Sequence, residues 1–124
     1  MVIDTCIFID HLRAKDRTTT ALAKLPADEA VYISVITLFE LFCGAPTADK
    51  KRDVLAVTED LNLLPFDTVV AAKAGDIYRS LKRQNKLIGV ADIMIAATCL
   101  IAEQPILTNN KKHFKPVDDL KILR

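Results

Sequence analysis

Cysteine is scarce and unsuited to cross-linking: Cys6, Cys43 and Cys99 are odd in number, far apart and each set in an apolar run. Neither a disulfide framework nor a zinc pattern fits that spacing, so the three read as reduced core thiols. A membrane-spanning run is also lacking. The longest apolar stretch, Leu87 to Ala102, carries Asp92 and is too short to cross a bilayer, while Asp4 interrupts the amino terminus where a secretion signal needs its apolar core. A cytoplasmic protein without a membrane partner is expected. Neither sign of charge is in excess, since 17 Lys and Arg stand against 16 Asp and Glu, a net charge of +1 that excludes a wholesale polyanion binder but permits local basic clusters. No repeat, low-complexity segment or linker divides the 124 residues. One domain spanning 1–124 is therefore expected, long enough to bury roughly two-thirds of the surface its unfolded chain exposes.

What is present is a series of short apolar strands alternating with helices. Val2-Ile3 reads as a very short strand running into Asp4, and Ile7 to Leu12 as a short helix. Thr18 to Leu25 reads as a second helix, stopped by Pro26. Val31-Tyr32-Ile33 has strand character, after which Ser34 is suited to cap a helix over Val35 to Cys43 that Gly44 and Pro46 end. Residues 48–60 and 67–86 show helical spacing on either side of the strand candidate Leu63 to Phe66. An apolar helix from Val90 to Glu103, a strand at Pro105 to Thr108, a polar turn at Asn109 to His113 and a strand at Leu120 to Leu123 complete the chain. Such alternation implies parallel β-α units and a three-layer α/β/α sandwich.

Three carboxylates sit where apolar segments leave little room for charge. Asp4 lies between two apolar runs, at the carboxyl end of a strand that should be buried; there a charge needs a partner, and parallel sheets gather their ligands. Glu40 is the only charge in Val35 to Phe42, a helix apolar enough around its circumference to be largely buried. Asp92 is the only charge between Lys86 and Glu103. Each has a structural reading, Asp92 as a helix-terminal acid favoured by the dipole and Glu40 as the partner of an arginine elsewhere in the chain. All three nonetheless fall where a parallel sheet collects its loops. Carboxylates brought to one crevice repel, and hard divalent cations with oxygen ligands relieve the repulsion. With no His or Cys expected near them, Mg2+ or Mn2+ is favoured over zinc, in a site able to activate water against a phosphodiester.

At these residues the chain resembles the PIN-domain family, specifically the small VapC-type toxins of type II toxin–antitoxin pairs. The resembling segments are Val2 to Cys6, Ile33 to Leu41, Ala91 to Ala96 and Leu107 to Phe114. The resemblance implies a five-stranded parallel sheet in the order 3-2-1-4-5. It implies a Mg2+- or Mn2+-dependent endoribonuclease with Asp4, Glu40 and Asp92 as metal-binding catalytic acids, and with Asn110 joining them. Thr5 and Thr108 are candidates for contacting the substrate. Two departures stand out. Family members often have Asn where this chain has Cys6, and the fourth acid that many relatives carry after the fourth strand is replaced by Asn110 or His113, which puts a second metal in doubt.

Basic residues form three groups: Lys50 to Arg52; Arg79, Lys82, Arg83 and Lys86; and Lys111, Lys112, His113 and Lys115. The first reads as a solvated helix face. Lys82, Arg83, Lys111 and Lys112 flank the segments bearing Asp92 and Asn110 and are candidates for holding RNA phosphates. Stacking aromatics are few, so a structured RNA such as tRNA or rRNA is the expected substrate. By resemblance the partners are a VapB-like antitoxin and a second copy of the chain in a homodimer. Two other readings remain open: a PIN-type nuclease outside a toxin pair, and a degenerate domain that only binds.

Overall fold

The computed structural model describes residues 1–123. Five parallel strands form one sheet in the order β3-β2-β1-β4-β5, with β1 at Val2–Ile3, β2 at Tyr32–Ser34, β3 at Asn62–Leu64, β4 at Ile106–Leu107 and β5 at Ile122–Leu123. The expected order is thus observed. β1 is central, with Val2 opposite Tyr32 on one side and Ile106 on the other.

Because side chains alternate across a strand, each two-residue strand divides its pair between two cores. Val2 and Ile106 face one side, where they meet Val70, Ile77 and Leu81 of α4 (Thr68–Arg83) and Ile93, Ala96 and Ala97 of α5 (Val90–Ile101). Ile3, Ile33 and Leu107 face the other, against Ile7 and Phe8 of α1 (Thr5–Arg13), Leu41 of α2 (Val35–Cys43) and Val54 of α3 (Ala48–Thr58). The result is the expected α/β/α sandwich. Strands this short hold because Val2, Ile3 and Ile106 are wholly buried, each contributing about 1.5–3 kcal/mol of apolar transfer.

Helix starts follow the capping residues. Asp4 caps α1 by accepting the Thr5 N–H, Ser34 caps α2 through the Thr37 N–H, and Asp67 caps α4 through the Val70 N–H. α1 therefore begins at Thr5 and not at Ile7.

Three expectations are corrected. Thr18 to Leu25 is not an α-helix; a single 3-10 turn at Arg17–Thr19 gives way to irregular turns. The cause is local competition for the backbone: Asp16 accepts the Thr18 N–H, Thr19 and Thr20 hydroxyls donate to the carbonyls of Asp16 and Arg17, and the Ala23 N–H donates to Thr20. Asn109 to His113 is not wholly a turn, because Lys111–Phe114 forms a short helix, α6, pinned by the wholly buried Phe114. Finally, the cysteines are free, but only Cys99 is a core thiol; Cys6 is half-buried and Cys43 is exposed. The same helix that carries Cys43 buries only Thr37 and Leu41 and leaves Phe39 65% exposed, so it is less enclosed than its composition suggests.

Candidate active site

The carboxyl edge of the sheet is built around Asp4. Its backbone N–H donates to Leu107 O at 2.9 Å, which fixes the residue beside the end of β4. The carboxylate is buried and receives three donors: the Thr5 N–H on Oδ1 at 2.8 Å, and on Oδ2 the Thr108 hydroxyl at 2.6 Å and the Cys6 thiol at 3.3 Å. All three donors are thus spent on holding the carboxylate in place. The Cys6 thiol is pushed up by burial, with the charge of Asp4 adding to it, so it stays protonated and able to donate.

Glu40 reaches the same edge from the second turn of α2. Its Oε1 accepts the Thr5 hydroxyl at 2.7 Å, and that hydroxyl shares a further hydrogen bond of 3.0 Å with buried Thr37. Among the described residues no arginine or lysine pairs with Glu40, so the structural reading of it as half of an ion pair is not met. Thr5 is thus the hinge between two acids, accepted by Glu40 through its side chain and by Asp4 through its backbone.

Asp92 stands in the first turn of α5, whose N-cap is Gly89, and its side chain is 24% exposed. Burial, and next the negative charge of Asp4, raise its carboxyl above the ordinary range; His113 partly offsets the rise. The same field is felt deeper in α5, where burial and then Asp4 push the Cys99 thiol up to about 12. The repulsion of Asp92 by Asp4 is thus offset only in part by His113, and a cation would relieve it. Their oxygens, with those of Glu40, are the hard donors that Mg2+ or Mn2+ prefer. Among the described residues, however, no three Asp, Glu, His or Cys side chains are already grouped closely enough to hold a metal ion together.

His113 and Cys6 are the functional candidates that the sequence pattern underrated. The His113 ring nitrogen Nδ1 lies 3.1 Å from Asp92 Oδ2, and Cys6 lies against Asp4, so the premise that no His or Cys comes near the acids is overturned. For Cys6 the signal was its place two residues after Asp4; for His113 it was the absent fourth acid. Asn110, in contrast, binds no acid with its side chain; its N–H donates to the Thr108 hydroxyl at 2.9 Å. Asp118 and Asp119 are exposed, as expected of a solvated turn.

The basic groups divide. Lys111, Lys112 and His113 line one depression with Thr108 and Asn110, and Lys86, Lys112 and His113 line the next with Gly89, so both include His113, the partner of Asp92, and the first includes Thr108, the partner of Asp4. Lys82 lies over the Tyr78 ring, 5.9 Å from its centroid, and Arg83 lines a separate hollow shared with Asp118 and Asp119. Arg52 pairs with Asp49 on the exposed face of α3, in keeping with a solvated face.

A PIN-domain family model matches residues 1–120. Ribonuclease VapC10 of Mycobacterium tuberculosis is 31% identical over 121 residues, 98% of this chain and 90% of that protein. The tRNA(fMet)-specific endonuclease VapC of Shigella flexneri is 34% identical over 124 residues, 97% of this chain and 93% of its own. Among solved structures, a chain of the DNA-bound VapBC of Salmonella typhimurium superposes with a TM-score of 0.81 at 29% identity, covering 98% of this chain and 95% of that one. With its sheet order, its acid-bearing strand edge and these relatives in agreement, the chain belongs to the PIN-domain family, on its VapC branch.

Proposed function

We propose that the protein is the ribonuclease toxin of a toxin–antitoxin pair, hydrolysing phosphodiester bonds of a structured RNA with Mg2+ or Mn2+ held by Asp4, Asp92 and Glu40. The observation that carries this reading is that Thr5 joins Asp4 and Glu40 through its backbone N–H and its hydroxyl, with Asp92 near enough for the charge of Asp4 to add to the burial that raises its carboxyl. A divalent cation there would supply Lewis-acid polarisation of the phosphodiester and activation of a water. The chain's own residues do the rest. Thr5 holds Glu40 in place through its 2.7 Å hydrogen bond, and Thr108 and Cys6 hold Asp4. Lys86, Lys111 and Lys112 share hollows with His113, the partner of Asp92, and suit the phosphates on either side of the scissile bond. Lys82 and Arg83, farther round α4, extend that path in this reading, and Asn110 and Thr108 orient a phosphate oxygen or water.

An antitoxin like those in the VapBC complexes is the proposed partner. Its support is a groove of about 230 Å3 with an apolar floor of Ile9, Leu12, Leu41 and Val54 that opens onto Glu40. A peptide laid in it would reach the acids directly. A homodimer and a cytoplasmic setting belong to the same reading; among the described residues no helix is long and apolar enough to cross a membrane. Light scattering on the purified protein checks the dimer.

The test is cleavage of tRNA and rRNA by purified protein. Cleavage is expected to stop with EDTA, to return with Mg2+ or Mn2+, and to be lost in Asp4→Asn, Glu40→Gln and Asp92→Asn. Cleavage surviving exhaustive chelation, or undiminished in all three variants, would overturn the reading.

A further inference from the structure

We propose that His113 is a positioning residue that fixes the orientation of Asp92. The inference rests on the reading of Asp92 as a cation ligand, and it assigns a role to a side chain that is neither an acid nor part of the core. Nδ1 of His113 lies 3.1 Å from Asp92 Oδ2, and Oδ1 receives no hydrogen bond among the described residues. One oxygen is thus held by the protein and the other is left open.

His113 is carried to that place by a continuous run of contacts that starts at the other acid. The Thr108 hydroxyl donates to Asp4 Oδ2 and accepts the Asn110 N–H; the Asn110 carbonyl then accepts the His113 N–H at 3.0 Å. Phe114, with no exposed surface, anchors α6 in the core formed with Ile93, Ala96 and Ala97 of α5. Asp4 and Asp92 are therefore the two ends of one arch, residues 108–113, and the imidazole is its outer foot. An imidazole with the proton on Nδ1 donates to the carboxylate and stops it from rotating about its last bond. That restraint removes an ordering cost from cation binding, which is the service that outer partners of metal ligands provide.

The experiment measures Mn2+ binding by titration calorimetry on the purified protein, without substrate. His113 is 59% exposed on its side chain, so its replacement leaves the core intact. His113→Ala is expected to weaken Mn2+ binding by about 10-fold or more, the usual effect of losing such a partner. His113→Asn, whose amide N–H stands close to where Nδ1 stood, is expected to recover most of the loss. Parent-like affinity in His113→Ala, or tighter binding, would overturn the proposal. So would an Asn variant as weak as the Ala variant, since the ring would then be acting as a ligand and not as a donor. Asp92→Ala in the same series separates the two levels: if it binds Mn2+ like the parent, the reading of Asp92 as a ligand has failed; if it loses binding while His113→Ala does not, only the role of His113 has failed.

Discussion

Replacing Thr108 by Val keeps the shape of a wholly buried side chain and removes one hydroxyl. That hydroxyl donates to the buried Asp4 carboxylate at 2.6 Å and accepts the Asn110 N–H at 2.9 Å, with the Cys6 thiol a weaker contact at 3.7 Å. A hydrogen bond to a charged group is worth about 1.5–3 kcal/mol, and the stranded Asn110 N–H, which is only partly buried, adds roughly 1 kcal/mol. The expected loss is about 3 kcal/mol, a large share of the 5–15 kcal/mol that holds a typical domain together. With a urea dependence of about 1.5 kcal/mol per molar, the unfolding midpoint should fall by roughly 2 M. Thr108→Ser retains both hydrogen bonds and gives up one methyl, so its loss should be about 1 kcal/mol. Equilibrium urea unfolding of the three proteins in EDTA reads these values. If Val falls within about 0.5 kcal/mol of the parent, the size ascribed to ordinary neutral substitutions, or if Ser is as damaging as Val, the hydroxyl is not what secures Asp4.

Asp92 should give the metal-free protein a characteristic pH dependence: its folded value lies above the ordinary 3.8, so the stability tied to its proton is fully present below that value and is lost as pH rises through the raised one. Asp92→Asn is expected to flatten this decline and melt higher than the parent in EDTA at neutral pH, while losing the further rise that Mg2+ gives the parent by binding only the folded state; a variant that melts lower in EDTA and keeps the Mg2+ shift would refute it. Lys111→Ala and Lys112→Ala should each weaken RNA binding and lower the slope of log affinity against log salt by about one unit, because each phosphate contact releases counterions. Lys86→Ala is expected to do the same, whereas Arg83→Ala, whose side chain lines a different hollow, should have the smaller effect in filter binding across a salt series.

The architecture was legible because its signals are local and agree with one another. Val2-Ile3, Tyr32-Ile33 and Ile106-Leu107 are unbroken apolar pairs, Ser34 is a capping residue at a strand end, and Asp4 is a charge set between apolar runs. The strand order came through the family segments, not from periodicity, and the sheet has that order. What was missed depends on contacts that no window of sequence contains. The Thr18 to Leu25 segment has helical spacing, but three threonines beside Asp16 divert its backbone bonds. α6 is too short to show a period and exists because Phe114 is buried beneath it. His113 looked like a polar turn residue until α5 and α6 were packed together, which is what brings it to Asp92, 21 positions away.

The hydrogen bond between Thr108 and Asp4 joins residues 104 positions apart, and the central strand that carries Asp4 has β4 as one of its two neighbours. During synthesis Asp4 is made 104 positions ahead of Thr108, so β1 has no second edge to lie against, and Asp4 no hydroxyl to hold it, until the chain past Thr108 has followed. Until then the growing polypeptide can bury Asp4 in no finished crevice. The order in which the strands are made thus differs from the order in which they sit, and the consequence is temporal: the crevice around Asp4 closes only after β4 and Thr108 have been made.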